Sequence, residues 1–301
     1  MSKKEIESEY KKKINLLNNY NKNYYDKSKP TITDKGYDEL KKNILLLEKK
    51  YKFLKSKNSP SEYVGYKPSK NFKKFLHKIP MLSLANAFEE EDLLNFEKRI
   101  LNFISKKENF KISYSAEPKI DGISASLIYN DGKFVRGLSR GDGKEGEDIT
   151  ENLATIKDIP KKILNKNFPK EIDIRGEVFI QTSDFKSLKA KFANPRNAAS
   201  GSLRQKNSED TSKIPLKFIA YTFGHEKGLK IETQSDFLKE LSNWGFKTNP
   251  FNKLITGIDN LLINYKEIET KRAEIDFDID GIVYKINEFK LQKRLGNVAN
   301  A

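Results

Sequence analysis

The stretch Ser113–Phe134, SYSAEPKIDGISASLIYNDGKF, decides how the chain reads. Lys119 stands between two segments with strand character. Glu117 lies two residues before it, Asp121 two residues after, and Gly122 follows. Downstream, ISASLIY and KFVRGLS flank Asn130-Asp131-Gly132, a turn whose residues tolerate the positive φ angles a tight hairpin needs. A lysine at such a joint, flanked by acids, is either an ordinary solvated loop residue or an amine held for chemistry.

Working outward, EIDIRGEVFI (171–180), LKFIAYTF (216–223) and FDIDGIVYKIN (277–287) also read as strands. Helical stretches are expected near 182–191 and 233–244. The hairpin and the irregular spacing predict a mixed α+β fold with mainly antiparallel sheets and flanking helices, rather than βαβ winding. Toward the N-terminus, Ile6, Tyr10, Ile14 and Leu17 recur at helical spacing. After a break containing Pro30, Thr33 or Asp34 can cap a second helix with the apolar face Tyr37, Leu40, Ile44, Leu47 and Tyr51. A Ser/Pro/Gly-rich joint, SKNSPSEYVGYKP, then predicts a boundary between a helical subdomain, 1–66, and a larger domain, 67–301. Leu93, Phe96, Ile100 and Phe103 predict a third amphipathic helix, with acids in its first turn where the helix dipole favours them.

Composition sets the outer bounds. A chain of 301 residues accommodates roughly two domains at ~100–200 residues each. Hydrophobic residues are 37% and charged residues 33%, yet 19 Phe and 13 Tyr supply bulk for a core. No run approaches the ~18 apolar residues of a membrane span. The N-terminus has no apolar signal core. Without cysteine there is no disulfide framework or thiolate metal site, and a cytoplasmic monomer is the expectation. The net charge of +15 points to a polyanionic partner such as DNA, although a lysine-rich composition alone produces the same number. The arginines are more pointed. Arg136, Arg140, Arg175, Arg196 and Arg204 gather in one central stretch, where a planar fork would suit phosphate or carboxylate.

Seven segments, taken in order, resemble the bacterial NAD-dependent DNA ligases. They are YYDKSKPTITDKGYDEL (24–40), PMLSLANAF (80–88), EPKIDG (117–122), SRGDGKEGEDIT (139–150), RGEVF (175–179), FANPRNAASGSLRQ (192–205) and DFDIDGIVYK (276–285). A bare Lys-x-Asp-Gly is common by chance, but seven ordered segments spanning the chain are specific. The resemblance implies a nucleotidyltransferase domain preceded by a helical subdomain that binds nicotinamide mononucleotide. It makes Lys119 the nucleophile that takes AMP from NAD. It places Ser83 and Leu84 on the adenine side, Glu117 near the adenine, and Arg140 and Lys285 around the AMP phosphate. Glu177 faces the ribose and a metal, Asp280 is a metal-side carboxylate, and Asp121 orients Lys119. Tyr24, Tyr25, Asp34, Tyr37 and Asp38 would form the nicotinamide pocket. Two departures from the family pattern, Ser28 after the tyrosine pair and Ala85 in the SLxN segment, are tolerable. The family's final adenylation motif and its oligonucleotide-binding, zinc-finger, helix-hairpin-helix and BRCT regions are not in these 301 residues, so a piece of a longer ligase is expected.

The chemistry fits those residue types. A lysine attacks phosphorus only as the neutral amine, and at an unperturbed pKa of ~10.4 about one in 2,500 is neutral at pH 7. Nearby cations and desolvation favour that form. Fixed cations also stabilise charge that develops on the phosphate. Mg²⁺ needs one or two carboxylates beside phosphate oxygens and leaves little mark in sequence. Tyrosine faces and carboxylates suit the cationic nicotinamide ring. Asp34, Tyr37 and Asp38 share one helix face, although Tyr37 equally continues an apolar stripe and Asp34 equally serves as a cap. No Gly-x-Gly-x-x-Gly follows a strand, so a Rossmann site is not expected. Two other functions use some of these features: an ATP-dependent nucleotidyltransferase, and a catalytically impaired basic nucleic-acid-binding fragment.

Overall fold

The structure is a computed structural model that describes residues 3–25, 32, 34–54, 72–105 and 110–296. In chain order its main elements are α1 (Lys3–Tyr25), α2 (Asp34–Lys50), β1 (Lys74–Leu76), α3 (Glu90–Phe103), β2 (Ser113–Ile120), β3 (Ile123–Asn130), β4 (Lys133–Ser139), β5 (Glu145–Glu147) and α4 (Thr150–Leu153). There follow β6 (Glu171–Ile180), α5 (Thr182–Phe185), α6 (Pro195–Leu203), α7 (Ser208–Ser212), β7 (Leu216–Lys227), α8 (Gln234–Asn243), β8 (Lys253–Thr256), α9 (Ile258–Lys271), β9 (Ile279–Ile286) and α10 (Phe289–Leu295). The fold is α+β, with antiparallel pairing throughout the described strands. The described residues fall into two compact units. One draws on the segment up to Leu84 together with Arg140–Asp148; the other draws on Ala85–Ser139 and the chain from Ile149 onward. The expected boundary near residue 66 lies in 55–71, outside the described residues.

In the first unit, α1 and α2 pack along the faces their periodicity predicts. Ile6, Tyr10, Leu17, Ile44 and Leu54 are buried, with Ile14, Tyr37, Leu40, Leu47 and Tyr51 against them. Two tyrosine hydroxyls of this core find acceptors, as buried donors generally do: Tyr10 donates to Glu48 at 2.6 Å and Tyr37 to Asn21 at 2.8 Å. In the same unit β1 pairs with β5.

The second unit holds two sheets. One has the order β8-β2-β9 and the other β4-β3-β6-β7. Asn130-Asp131-Gly132 makes the expected hairpin between β3 and β4, with φ of 47° at Asp131 and 74° at Gly132. That is the mirror-image turn whose twist matches the flanking strands. Behind β2 and β9, Tyr114, Ala116, Ile255 and Ile286 pack on Ile100 and Leu101 of α3 and Leu261 of α9. Each of these strands exposes its alternate residues to the opposite face.

The structure corrects three expectations. Phe103 is not part of the α3 core face; it is 52% exposed at the helix end, while Leu101 is buried. The stretch 182–191 is helical only as α5, and bonds such as Leu188 N to Phe185 O at 2.8 Å then carry it through turns. Lys119 does not lie between strands but is the penultimate residue of β2. The chain leaves one sheet at Ile120 and enters the other at Ile123, so Asp121-Gly122 is a corner. Gly122 is required there: a Cβ would meet Val178 O at 2.4 Å and the Glu177 Cγ at 2.9 Å. Only a residue without a side chain lets β3 approach β6 so closely.

Candidate active site

Strand alternation puts Ser115, Glu117 and Lys119 on one face of β2. The register with β9 sets Lys285 opposite Ser115, Val283 opposite Glu117 and Gly281 opposite Lys119. At the corner end, Lys119 Nζ donates to Asp280 Oδ2 at 2.5 Å. The pair is open, with side chains 45% and 31% exposed. A Cβ on Gly281 would meet nothing within 4 Å, so space stands free across from the lysine. The three acids of DFDIDG diverge. Asp276 accepts from Ser183 N, Ser183 Oγ and Gln181 Nε2. Burial and the nearby Asp121 raise the Asp278 carboxyl above its usual range. Asp280 takes Lys119.

Glu177 adjoins this cluster. It sits opposite Ser124 in the β3–β6 register and accepts that hydroxyl at 3.0 Å. Burial pushes its carboxyl up to about 7; Arg196, Ser124 and Lys119 oppose the shift, and Asp280 adds to it. Among the described residues no three His, Cys, Asp or Glu side chains converge as a metal cage. Glu177 and Asp280, two coupled carboxylates, fit an ion such as Mg²⁺ that takes hard oxygen ligands and completes its shell with phosphate and water.

Asp121 does not hold Lys119. Its Oδ1 accepts Arg196 Nη1 at 2.5 Å, and its backbone N donates to Asp278 O at 2.9 Å. Arg196 therefore stands at this corner; the sequence marked it as one of five clustered arginines and within FANPRNAASGSLRQ, without a role of its own. It arrives on α6, whose start is fixed by Asn194 capping Asn197 N and by Pro195 in the first turn. Arg175, from the same cluster, is interior. It bonds Asp173 through Nε at 3.2 Å and Nη2 at 3.0 Å. Gly224 makes that pair fit, because a Cβ there would meet Asp173 Oδ2 at 2.2 Å and Arg175 Nη2 at 2.3 Å.

At the other end of the face, Glu117 is buried. Its Oε1 accepts Ser115 Oγ at 2.8 Å and Gln234 Nε2 at 2.9 Å, and its Oε2 accepts Lys285 Nζ at 2.7 Å. Lys285 also donates to Tyr221 O at 2.9 Å and lies 5.3 Å from the Tyr221 ring centre. Two residues expected to touch different parts of a nucleotide are thus each other's partners.

Within the first unit, two of the quoted motifs meet. Arg140 donates through Nη2 to Ser83 Oγ at 2.7 Å and through Nε to Met81 O at 3.4 Å. The glycine-rich turn makes this possible: Gly141 and Gly143 have φ of 58° and 88°, and Met81 N bonds Gly143 O at 2.8 Å. Leu84 is exposed. Tyr37 packs in the helical core and is tied to Asn21. The side chains of Tyr24, Tyr25, Asp34 and Asp38 lie outside the described residues.

An antiparallel α+β domain with a lysine at the corner between two sheets, paired to one acid and flanked by another, is the class that fold and site define. The comparisons give the family. Residues 69–301 match the family model of the NAD-dependent DNA ligase adenylation domain, and 3–65 match that of the DNA ligase-like N-terminal NAD⁺-binding domain. The chain belongs to the NAD-dependent DNA ligase adenylation-domain family. A DNA ligase of Pelagibacter ubique (strain HTCC1062) is 67% identical over 301 residues, covering all of this chain and 44% of that protein. One from Bradyrhizobium sp. (strain ORS 278) is 44% identical over 307 residues, covering 99% and 43%. The chain thus spans less than half the length of these curated relatives. A solved chain titled Pmar-Lig_Pre. is 14% identical, with a TM-score of 0.41 over 84% of this chain and 51% of that one. Among the described residues no helix is long and apolar enough to cross a membrane.

Proposed function

We propose that this chain carries out the first step of an NAD-dependent DNA ligase. The neutral amine of Lys119 attacks the α-phosphorus of NAD⁺, forming an N–P bond. The bond to the bridging oxygen breaks, and nicotinamide mononucleotide leaves with that electron pair. The lysine proton passes to Asp280, the carboxylate already bonded to Nζ. The observation that carries this reading is Lys119 at the sheet corner, held on Asp280 at 2.5 Å and facing open space across Gly281.

The other roles follow. Arg196 neutralises Asp121 and works against the raised pKa of Glu177, so it keeps acids from dominating a site that must accept phosphate. Glu177 and Asp280 would hold Mg²⁺, which supplies charge neutralisation between amine and phosphate when bound. Glu117 and Lys285 meet the nucleoside end, because their pairing lies along the strand from Lys119. Ser83, Leu84 and Arg140 are nucleotide-binding residues of their own unit, a role supported by the Arg140–Ser83 bond. Tyr24, Tyr25, Asp34, Tyr37 and Asp38 select nicotinamide mononucleotide within a helical subdomain 1–66, with 67–301 as the adenylation domain; the two matched ranges support this division. The NAD⁺-binding match over 3–65 favours NAD over ATP as AMP donor. The whole protein, a cytoplasmic monomer, would pass AMP to a 5′-phosphate in nicked duplex DNA and seal it with the adjacent 3′-hydroxyl. Incubation with Mg²⁺ and either NAD⁺ or ATP, followed by intact mass and peptide mapping, tests the reading. One adenylyl group on Lys119 from NAD⁺ alone is expected. AMP on another lysine, or transfer from ATP, would overturn it.

A further inference from the structure

We infer that Gln234 is a positioning residue for the Glu117–Lys285 pair, an inference that rests on the reading of that pair as part of the nucleotide site. Gln234 is 1% exposed. Its Nε2 gives one proton to Glu117 Oε1 at 2.9 Å and the other to Tyr221 O at 2.8 Å. Lys285 Nζ uses the same two partners, at 2.7 Å through Glu117 Oε2 and 2.9 Å through Tyr221 O. An amide and an ammonium therefore clamp one carboxylate and one carbonyl from two sides. The contacts join β2 and β9 of one sheet to β7 of the other.

Two further observations assign the side chain to this clamp. Gln234 Oε1 is buried with no hydrogen-bond partner among the described residues. The amide forgoes a bond on its oxygen to place both protons on the clamp, a cost native interiors seldom accept. The backbone of Gln234 is also fixed from the strand that bears the lysine. Its N donates to Asn287 O at 2.7 Å, and Ser235 N donates to Asn287 Oδ1 at 2.9 Å. Thr233 caps the helix they open. Lys285 and Gln234 thus move as one piece at the end of β9. With two of its three protons engaged, Lys285 keeps one N–H in a set direction. Without Gln234, Glu117 Oε1 has only Ser115, and that direction is lost.

The test is calorimetric binding of NAD⁺ and of nicotinamide mononucleotide to the 301-residue chain, with melting temperature recorded alongside. Gln234→Met keeps the length and removes the donor. It should weaken NAD⁺ binding about tenfold, the usual consequence of leaving a buried carboxylate short of a partner. Nicotinamide mononucleotide affinity should stay unchanged. Gln234→Glu sets a second carboxylate against Glu117 and should weaken NAD⁺ more. In a Glu117→Gln background the effect of Gln234→Met should largely vanish, since the two act through one contact. Equal NAD⁺ affinity in wild type and both variants would overturn the inference alone, as would parallel losses for both ligands. A wild-type chain that binds neither ligand would instead sink the proposed function, and the inference with it.

Discussion

Two lysines on neighbouring strands of one sheet each hold a carboxylate, and their surroundings are opposite. Lys285 and Glu117 are 19% and 5% exposed, and three further groups hold them. Lys119 and Asp280 are 45% and 31% exposed, beside an open glycine. A buried pair is expensive to break, because removing one partner leaves an uncompensated charge out of water. An exposed pair contributes little to stability. The difference teaches how the face divides its work. One end is preorganised and rigid, so it can present a fixed pattern to a ligand. The other end is held by a single carboxylate and stands open, which suits the nucleophile proposed for Lys119.

The comparison breaks first at Lys119. Lys119→Arg should abolish adenylation, because a guanidinium does not deprotonate usefully. NAD⁺ binding should survive, since charge and length are kept. Intact mass and calorimetry separate the two, and an adenylated Lys119→Arg chain would place the nucleophile elsewhere.

Lys285→Met should be the most damaging change to stability. It strands Glu117, at a cost of about 3 kcal/mol or more. Chemical denaturation should reveal that loss. A variant as stable as wild type at neutral pH would mean the pair is not the anchor described.

Glu177 sharpens the contrast through pH. Its folded-state pKa of about 7 lies above the ordinary 4.5. Between those values the folded chain keeps a proton that the unfolded chain has released, so stability falls as pH rises through that window. Glu177→Gln cannot ionise and should escape the loss. Without nucleotide or divalent ion, the variant should gain on wild type from pH 5 to pH 8, by on the order of 2 kcal/mol once solvent screening of a partly buried group is allowed for. A pH-independent difference would remove the electrostatic account of this carboxylate.

Asp280→Asn should be the mildest in stability, within about 1 kcal/mol, as suits an exposed pair. Its adenylation rate should nonetheless drop, since the amide cannot take the lysine's proton. If the variant melts like the Lys285→Met chain, the two ends of the face are not distinct.

The sequence by itself determined what is local or periodic. The faces of α1 and α2 follow from 3.6-residue spacing, and the β3–β4 hairpin from Asn-Asp-Gly. The ordered motifs identified the family and singled out Lys119. Phe103 and the stretch 182–191 misled because helical spacing does not say where a helix stops. The partners were decided only in three dimensions. Lys119 has an acid two residues away on either side, yet bonds Asp280, 161 residues distant; Glu117 takes Lys285, 168 residues away. Asp121 goes to Arg196, and Gln234, which no motif marked, closes the clamp on Glu117. Arg175 and Arg196 are equivalent in sequence, yet one neutralises an interior carboxylate and the other reaches the corner. The reason is that strand register and sheet crossing fix which side chains share a face. Charge then pairs by distance through space, which spacing along the chain does not encode.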